Sequence, residues 1–364
     1  MVRKILKGIQ VPLLAILTSL IVAAIVIILT AESIPEGFRK VGLGYFGILD
    51  GALLDVRGLT NSLVATTPLI LTGLAVAIPF KAGLFNIGAE GQYMMGALFG
   101  TLVGIYIDLP PIIHPIFAMF AGFVGGALWG FIPGILRARL GSHEVINTIM
   151  LNFIAILLVN YMVRTPLKDP NPSSVQTFPI METAELTRLF GTRLHLGFFV
   201  AILTAFFIYY FLYKTTWGFS LRTTGQNPSA AEYAGINSKS QYVISMMLAG
   251  GLAGLAGTIE VQGLTRVLSE GFNANYGFDA IAVSLLAVNG PLAMIPSAFI
   301  FGVLRIGGDF LQIRAGLSIH IVSIFRALIL LFVSAPLIIR ALYRVKAEVD
   351  PQEGVPLTRG WGGQ

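Results

Sequence analysis

The chain is 364 residues long, 55% hydrophobic and only 12% charged, with 24 basic against 18 acidic residues and a net charge of +6. A soluble domain carries about 25% charged residues, so a mean hydropathy of +0.81 excludes a large soluble core and predicts a polytopic membrane protein. Cysteine is absent, which removes disulfides, thiol nucleophiles and cysteine metal sites.

Arg3, Lys4 and Lys7 precede the first apolar run, residues 12–31. A cleavable leader has an apolar region of about 7–15 residues and a small-x-small exit, whereas this run is about 20 long and ends Leu29-Thr30-Ala31-Glu32. It predicts a retained first span. Further windows able to cross about 30 Å of hydrocarbon fall at 62–79, 89–107, 112–136, 145–163, 196–213, 242–262, 278–290, 291–307 and 318–339. With the first they make about ten transmembrane helices in an all-α protein. Asn289-Gly290-Pro291 interrupts the stretch 278–307, whose second half is short, so one half is a candidate re-entrant segment. A surface helix is expected near residues 45–54, and 164–195 form a second long hydrophilic loop.

Basic residues set the orientation. With the amino terminus inside, the inner segments gather Lys81, Arg137, Arg139, Lys214, Arg222, Lys239, Arg340, Arg344, Lys346 and Arg359, while acidic residues lean outward. Both termini are therefore expected in the cytoplasm. The positive surplus is a topology signal and needs no nucleic-acid partner. Residues 1–340 read as one membrane domain and 341–364 as a cytoplasmic tail.

The segment Lys81-Ala82-Gly83-Leu84-Phe85-Asn86-Ile87-Gly88-Ala89-Glu90-Gly91-Gln92-Tyr93 places four glycines, two amides and a carboxylate between apolar runs. A charge at bilayer depth costs at least about 2.5 kcal/mol, and glycine-broken backbone there must be buried in protein or line a cavity. The segment reads as part of a pore or gate. Asn86, Glu90 and Gln92 either contact a permeant or brace a broken helix. Phe85-Asn86 and Glu90 are echoed by Phe272-Asn273 and Gly277-Phe278-Asp279. An inverted repeat of spans two to five against seven to ten accounts for this, as does chance in a glycine-rich chain.

Asn147, Asn152 and Asn160 on the fifth span, and Asp279 and Ser284 on the eighth, divide between interhelical hydrogen bonding and substrate contact. His320 and Ser323 share a face of the last span and read as packing residues. Arg305 and Arg326 are expected to pair with Asp279 or Glu260, or to snorkel. The glycine rows at 122–130 and 250–257 predict close helix contact. The aromatic run 198–213 predicts a lipid-facing span.

The inner loop 214–241 holds Gly218, Arg222, Gly225, Asn227-Pro228, Ala230, Ala231, Glu232 and Gly235. Asn227-Pro228 begins a turn or helix, 229–234 favour a short helix, and Gly235 ends it. Ala230 and Ala231 would allow close approach of another protein, with Arg222 and Glu232 at the rim; an ordinary connector fits the same residues. No Gly-x4-Gly-Lys-Ser/Thr loop, His-Glu-x2-His or Gly-x-Ser-x-Gly occurs. Any uphill transport draws on a partner or an ion gradient.

Ala230-Ala231, three residues, then Gly235 resembles the core of the Glu-Ala-Ala signature of ATP-binding-cassette importer permeases, with Ser229 in place of the glutamate. Gly83-Leu84-Phe85-Asn86-Ile87-Gly88-Ala89-Glu90-Gly91-Gln92, Glu144-Val145-Ile146-Asn147-Thr148-Ile149-Met150-Leu151-Asn152 and 218–235 resemble the nucleoside permeases that work with basic-membrane-protein-type lipoproteins. These belong to the wider branched-chain amino-acid and simple-sugar permease group. The resemblance covers about 60–340. It implies a nucleoside importer subunit with no cofactor, in the cell membrane. Its partners would be a cytoplasmic ATPase at 214–241, a second identical or different permease, and an extracytoplasmic substrate-binding lipoprotein. The pathway would include Asn86, Glu90, Gln92, Asn147, Asn152 and Asp279. A simple-sugar permease, a stand-alone ion-coupled carrier with Glu90 or Asp279 as ion site, and a membrane enzyme are the alternatives.

Overall fold

The structure is a computed structural model that describes residues 2–171, 174–272 and 275–344. Residues 345–364 of the expected tail, with Lys346 and Arg359, lie outside the described residues, as do Asn273 of the internal echo and the side chain of Arg326. Among the described residues there is no β-strand, and the pairing that exists is isolated bridges in and beside the loop 165–196.

The helices are α1 (Val2–Thr30), α2 (Ile34–Leu49), α3 (Val56–Lys81), α4 (Ala89–Tyr106), α5 (Ile113–Leu140), α6 (Glu144–Arg164) and α7 (Gly197–Lys214). They continue as α8 (Thr216–Gln226), α9 (Pro228–Tyr233), α10 (Ser238–Glu260), α11 (Tyr276–Leu286), α12 (Met294–Ala315), α13 (Ile319–Ser334) and α14 (Pro336–Leu342). Short polar residues start many of them. Asp55 caps α3 through Gly58 N at 3.0 Å, and Asn237 caps α10 through Ser240 N at 3.0 Å. Left-handed Gly141 and Gly316 end α5 and α12.

Among the described residues six helices are long and apolar enough to cross a membrane: Val56–Lys81, Ile113–Leu140, Glu144–Arg164, Gly197–Lys214, Ser238–Thr265 and Met294–Ala315. Leu14–Thr30, Tyr276–Leu286 and His320–Val333 are shorter apolar helices. The chain is thus an all-α polytopic membrane protein. Its surface helix begins earlier than expected, at Ile34 behind the Ser33 cap, and ends in a π turn over Asp50–Leu54. The break at 287–293 leaves α11 as the short half, whereas α12 runs on to Ala315. Its C-terminal end is held because Arg314 Nη2 meets Asp50 Oδ2 at 2.6 Å.

Helices α3, α4 and α10 form the interior, and α6 and α7 lie at the periphery. Lipid offers no hydrophobic drive to pair helices, so close backbone packing of small residues does. A Cβ on Gly96 would fall 2.0 Å from Gly254 Cα, and one on Gly126 would fall 2.1 Å from Gly250 O. Thr258 Oγ1 donates to Gly96 O at 2.9 Å across the same contact. A leucine at Gly254 meets backbone at 2.3 Å, and overpacking of this kind costs about 3 kcal/mol. Thermal unfolding in detergent is expected to show Gly254→Leu well below wild type. Gly42→Leu, at a position with open space, stays near it.

The loop before α7 turns through Phe190 and Gly191, both at positive φ, and closes on Leu189 N to Leu194 O at 2.7 Å. Behind it His195 is buried, with neither ring nitrogen hydrogen-bonded. It sits in a slot where a Cβ on Gly263 would come 2.4 Å from the ring. Burial, aided by Arg188, pushes the His195 imidazole down to about 4. An unfolded histidine titrates at about 6.5, so below that pH the unfolded chain binds the extra proton and stability falls towards pH 4. The melting temperature is expected to drop on acidification through this window. His195→Phe flattens that slope, and an unchanged slope contradicts the burial argument.

Candidate translocation site

Helix α3 contains Pro79. Proline brings no N–H, so the carbonyl four residues earlier, Ala75 O, loses its helical partner. Asn86 supplies the donor: its Nδ2 lies 3.3 Å from Ala75 O, inside the loop 82–88 that folds back beside α3. Asn86 Nδ2 also donates to Gln92 Oε1 at 2.9 Å, Gln92 Nε2 returns a bond to Asn86 Oδ1 at 3.3 Å, and Gly88 N reaches Asn86 Oδ1 at 3.0 Å. From α6, Asn152 Oδ1 takes Gly91 N at 2.8 Å and Asn152 Nδ2 donates to Ile87 O at 2.9 Å. Every polar atom of Asn86, Gln92 and Asn152 is engaged, and all three side chains are buried.

Glu90 joins this broken helix to a second one. Its two oxygens accept Asn275 N at 3.1 Å and Gly277 N at 2.6 Å, the first amides of α11. The helix starts abut so closely that a Cβ on Gly277 would sit 2.2 Å from Glu90 N. Two positive helix ends thus face each other with one fully buried carboxylate between them. Bracing, one of the two readings open for these residues, describes this geometry.

Beside the junction lies a charged and aromatic cluster. Arg305 on α12 donates to Asp279 Oδ2 at 2.9 Å, and its guanidinium lies 4.1 Å from the centre of the Tyr276 ring. Of the two partners open to Arg305, Asp279 is the one bonded. Tyr93 stacks on Phe272 at 5.6 Å and tilts against Tyr276 at 5.9 Å. Glu260, at the end of α10, is buried nearby. The turn at Glu270 and Gly271 is held by the Arg164–Glu270 ion pair and by Gly271 N on Asn160 Oδ1 at 3.0 Å.

Asn147 is elsewhere, bonded to Ser142 Oγ at 2.9 Å at the base of α6. Ser284 binds Asn289 at 2.8 Å in the turn after α11, and His320 is exposed on α13. Sequence reasoning touched Tyr93 and Phe272 only as members of their segments and passed over Tyr276. Their spacing is that of ordinary apolar packing, and only the fold gathers the three rings.

The loop 214–241 contains two helices. Thr215 caps α8 through Gly218 N at 3.1 Å, and Asn227 caps α9 through Ala230 N at 3.1 Å. Gly235, at φ +78°, ends the motif. Ala231 faces inward and is buried while Ala230 is exposed, because successive residues leave a helix on different sides. Arg222 turns back to donate to Leu212 O at 2.9 Å rather than standing at the rim. Tyr233, 97% exposed, is the aromatic that projects. Gly225 touches the broken segment itself: a Cβ there would lie 2.2 Å from Lys81 O and 2.8 Å from Gly83 N.

Residues 58–334 match the family described as branched-chain amino acid transport system, permease component. The chain is 38% identical to a guanosine ABC transporter permease protein of Bacillus subtilis, over 93% of this chain and 96% of that one. It is 33% identical to a nucleoside ABC transporter permease protein of Lactococcus lactis, over 92% and 93% of the two. A glucose ABC transporter permease protein of Haloferax volcanii is 36% identical over 76% and 75%. No solved structure matches. With matched residues running from α3 into α13, through the paired half-helices and the α8–α9 loop, the chain belongs to the branched-chain amino acid transport system permease family.

Proposed function

We propose that the chain is the membrane permease subunit of an ATP-driven importer of nucleosides in the plasma membrane, with a separate protein hydrolysing ATP. Similarity to relatives named for guanosine and nucleoside transport supports the solute class. In this reading residues 1–340 are one permease domain with ten crossings, both termini are cytoplasmic, and 341–364 are a tail. The order long helix, broken loop, half-helix occurs at α3–α4 and again at α10–α11, with the half-helices meeting start to start, which supports an inverted repeat.

The observation that carries the reading is the contact of α8 with the gate segment, Gly225 against Lys81 and Gly83. A cytoplasmic ATPase docks on α8–α9, anchored by Tyr233. Its closure moves α8, and α8 presses on the loop 82–88. Because that loop is bonded into α3, α4 and α6, and Glu90 is bonded to α11, displacement at one end shifts both half-helices together. Access then alternates at the junction. The Asp279–Arg305 pair leaves little net charge for a neutral solute to overcome. A second permease copy, identical or different, completes the pathway, and an extracytoplasmic lipoprotein delivers the solute. A simple sugar is the second reading, favoured by the relative named for glucose.

Co-purification with the neighbouring subunits, then uptake into vesicles of nucleosides, ribose and branched-chain amino acids, tests this directly. ATP-dependent accumulation of nucleosides is expected. Accumulation by this chain alone down an ion gradient overturns it. In the same vesicles Gly225→Val, whose side chain would push α8 off Lys81, is expected to cut uptake per assembled complex about tenfold or more, with assembly read by co-purification. Tyr233→Ala weakens ATPase binding about tenfold; wild-type values for both variants contradict the lever.

A further inference from the structure

Glu260 is 6% exposed, and no hydrogen bond or ion pair engages it among the described residues. The other buried carboxylates are committed: Glu90 to two amides, Glu144 to Arg137 and Asp169 to Asn171 N. Arg305 and Arg193 lie within electrostatic reach of Glu260, but Arg305 is already spent on Asp279. Within electrostatic reach of it the Tyr93 hydroxyl is fully buried and has no partner among the described residues. An uncommitted carboxylate inside a membrane bundle is expensive to keep and points to a functional site. A buried phenol normally finds a partner too.

The Tyr93 ring belongs to an aromatic cluster. It is stacked on Phe272 with the planes 5° apart, and the Tyr276 ring lies 5.9 Å from it. We propose that Glu260 and the Tyr93 hydroxyl form the hydrogen-bonding end of a permeant site walled by Phe272 and Tyr276. The site takes a neutral solute that carries a flat ring and an adjacent pair of hydrogen-bond donors. The Glu260 oxygens offer acceptors that donors on the solute meet; the aromatic cluster provides the flat contact. A simple sugar has donors without the flat ring. A branched-chain amino acid lacks the flat ring as well. A nucleoside satisfies both demands, through either the ribose diol or the amide-and-amine edge of a guanine-type base. The inference rests on the permease reading above and narrows it.

The test uses the whole reconstituted importer and reads ratios of uptake, which do not depend on how much protein folds. Guanosine is compared with its dideoxyribose analogue and with inosine, which lacks the exocyclic amine. The wild type is expected to disfavour one of the two analogues by about tenfold. The analogue disfavoured identifies the donor pair. Glu260→Gln and Tyr93→Phe both pull that ratio towards one. If Glu260→Gln fails to assemble, Tyr93→Phe decides, since it removes only a hydroxyl that bonds nothing in the protein. Ratios identical in wild type and variants, or no discrimination by the wild type, overturn the site. A wild-type importer that carries no nucleoside sinks the solute reading itself, and the site falls with it.

Discussion

Two helices begin inside the membrane bundle, and a carboxylate from the first turn of one caps the start of the other. The unpaired amides at a helix start carry partial positive charge, and away from water each unbonded amide costs free energy comparable to a lost hydrogen bond. Glu90 removes both difficulties for α11. It belongs to the first turn of α4 and takes Asn275 N and Gly277 N at the start of α11. Gly277 is needed because a side chain there would strike the Glu90 backbone. The carboxylate is tolerable there because two helix starts face it and two backbone amides donate to it.

The rest of the interior follows from keeping that junction closed. Pro79 frees a carbonyl, Asn86 satisfies it, Gln92 and Gly88 hold Asn86, and Asn152 ties the loop to α6. The glycine seams of α4, α5 and α10 bring the backbones close enough for this short-range bonding. A segment built in this way moves as a unit, which suits it to transmit a push received at Gly225. Ligand contact is left to side chains that the scaffold does not use, and Glu260 and Tyr93 are of that kind.

Much of this was legible in the residues. Amides and a carboxylate between apolar runs marked 81–93 as broken membrane structure, and Asn227-Pro228 with Gly235 marked a short capped helix. What single residues could not reveal was pairing. Whether Arg305 met Asp279 or Glu260 depends on how α11 and α12 fold back on each other, and whether Glu90 faced a solute or a helix end depends on elements 187 positions apart in the chain. The helix α8 was hidden because Thr216–Gln226 contains glycines and threonines, weak helix formers held by the Thr215 cap and by packing on α7. The inward turn of Ala231 and Arg222 could be judged only once a helix axis existed. The split of 278–307 was visible at Asn289-Gly290, but hydropathy made the second half the short one, whereas α12 continues past the apolar window to Ala315 and α11 is the shorter.

Amide exchange at the junction probes the central claim most directly. Hydrogen–deuterium exchange resolved at Asn275 and Gly277 is to be compared between the wild type and Glu90→Ala, with the amides of α12 as the internal reference. The Glu90 cap predicts strong protection in the wild type and much faster exchange at those two amides in the variant, with α12 unchanged. Equal protection in both proteins would mean that some other group holds the start of α11, and the junction described here would be wrong.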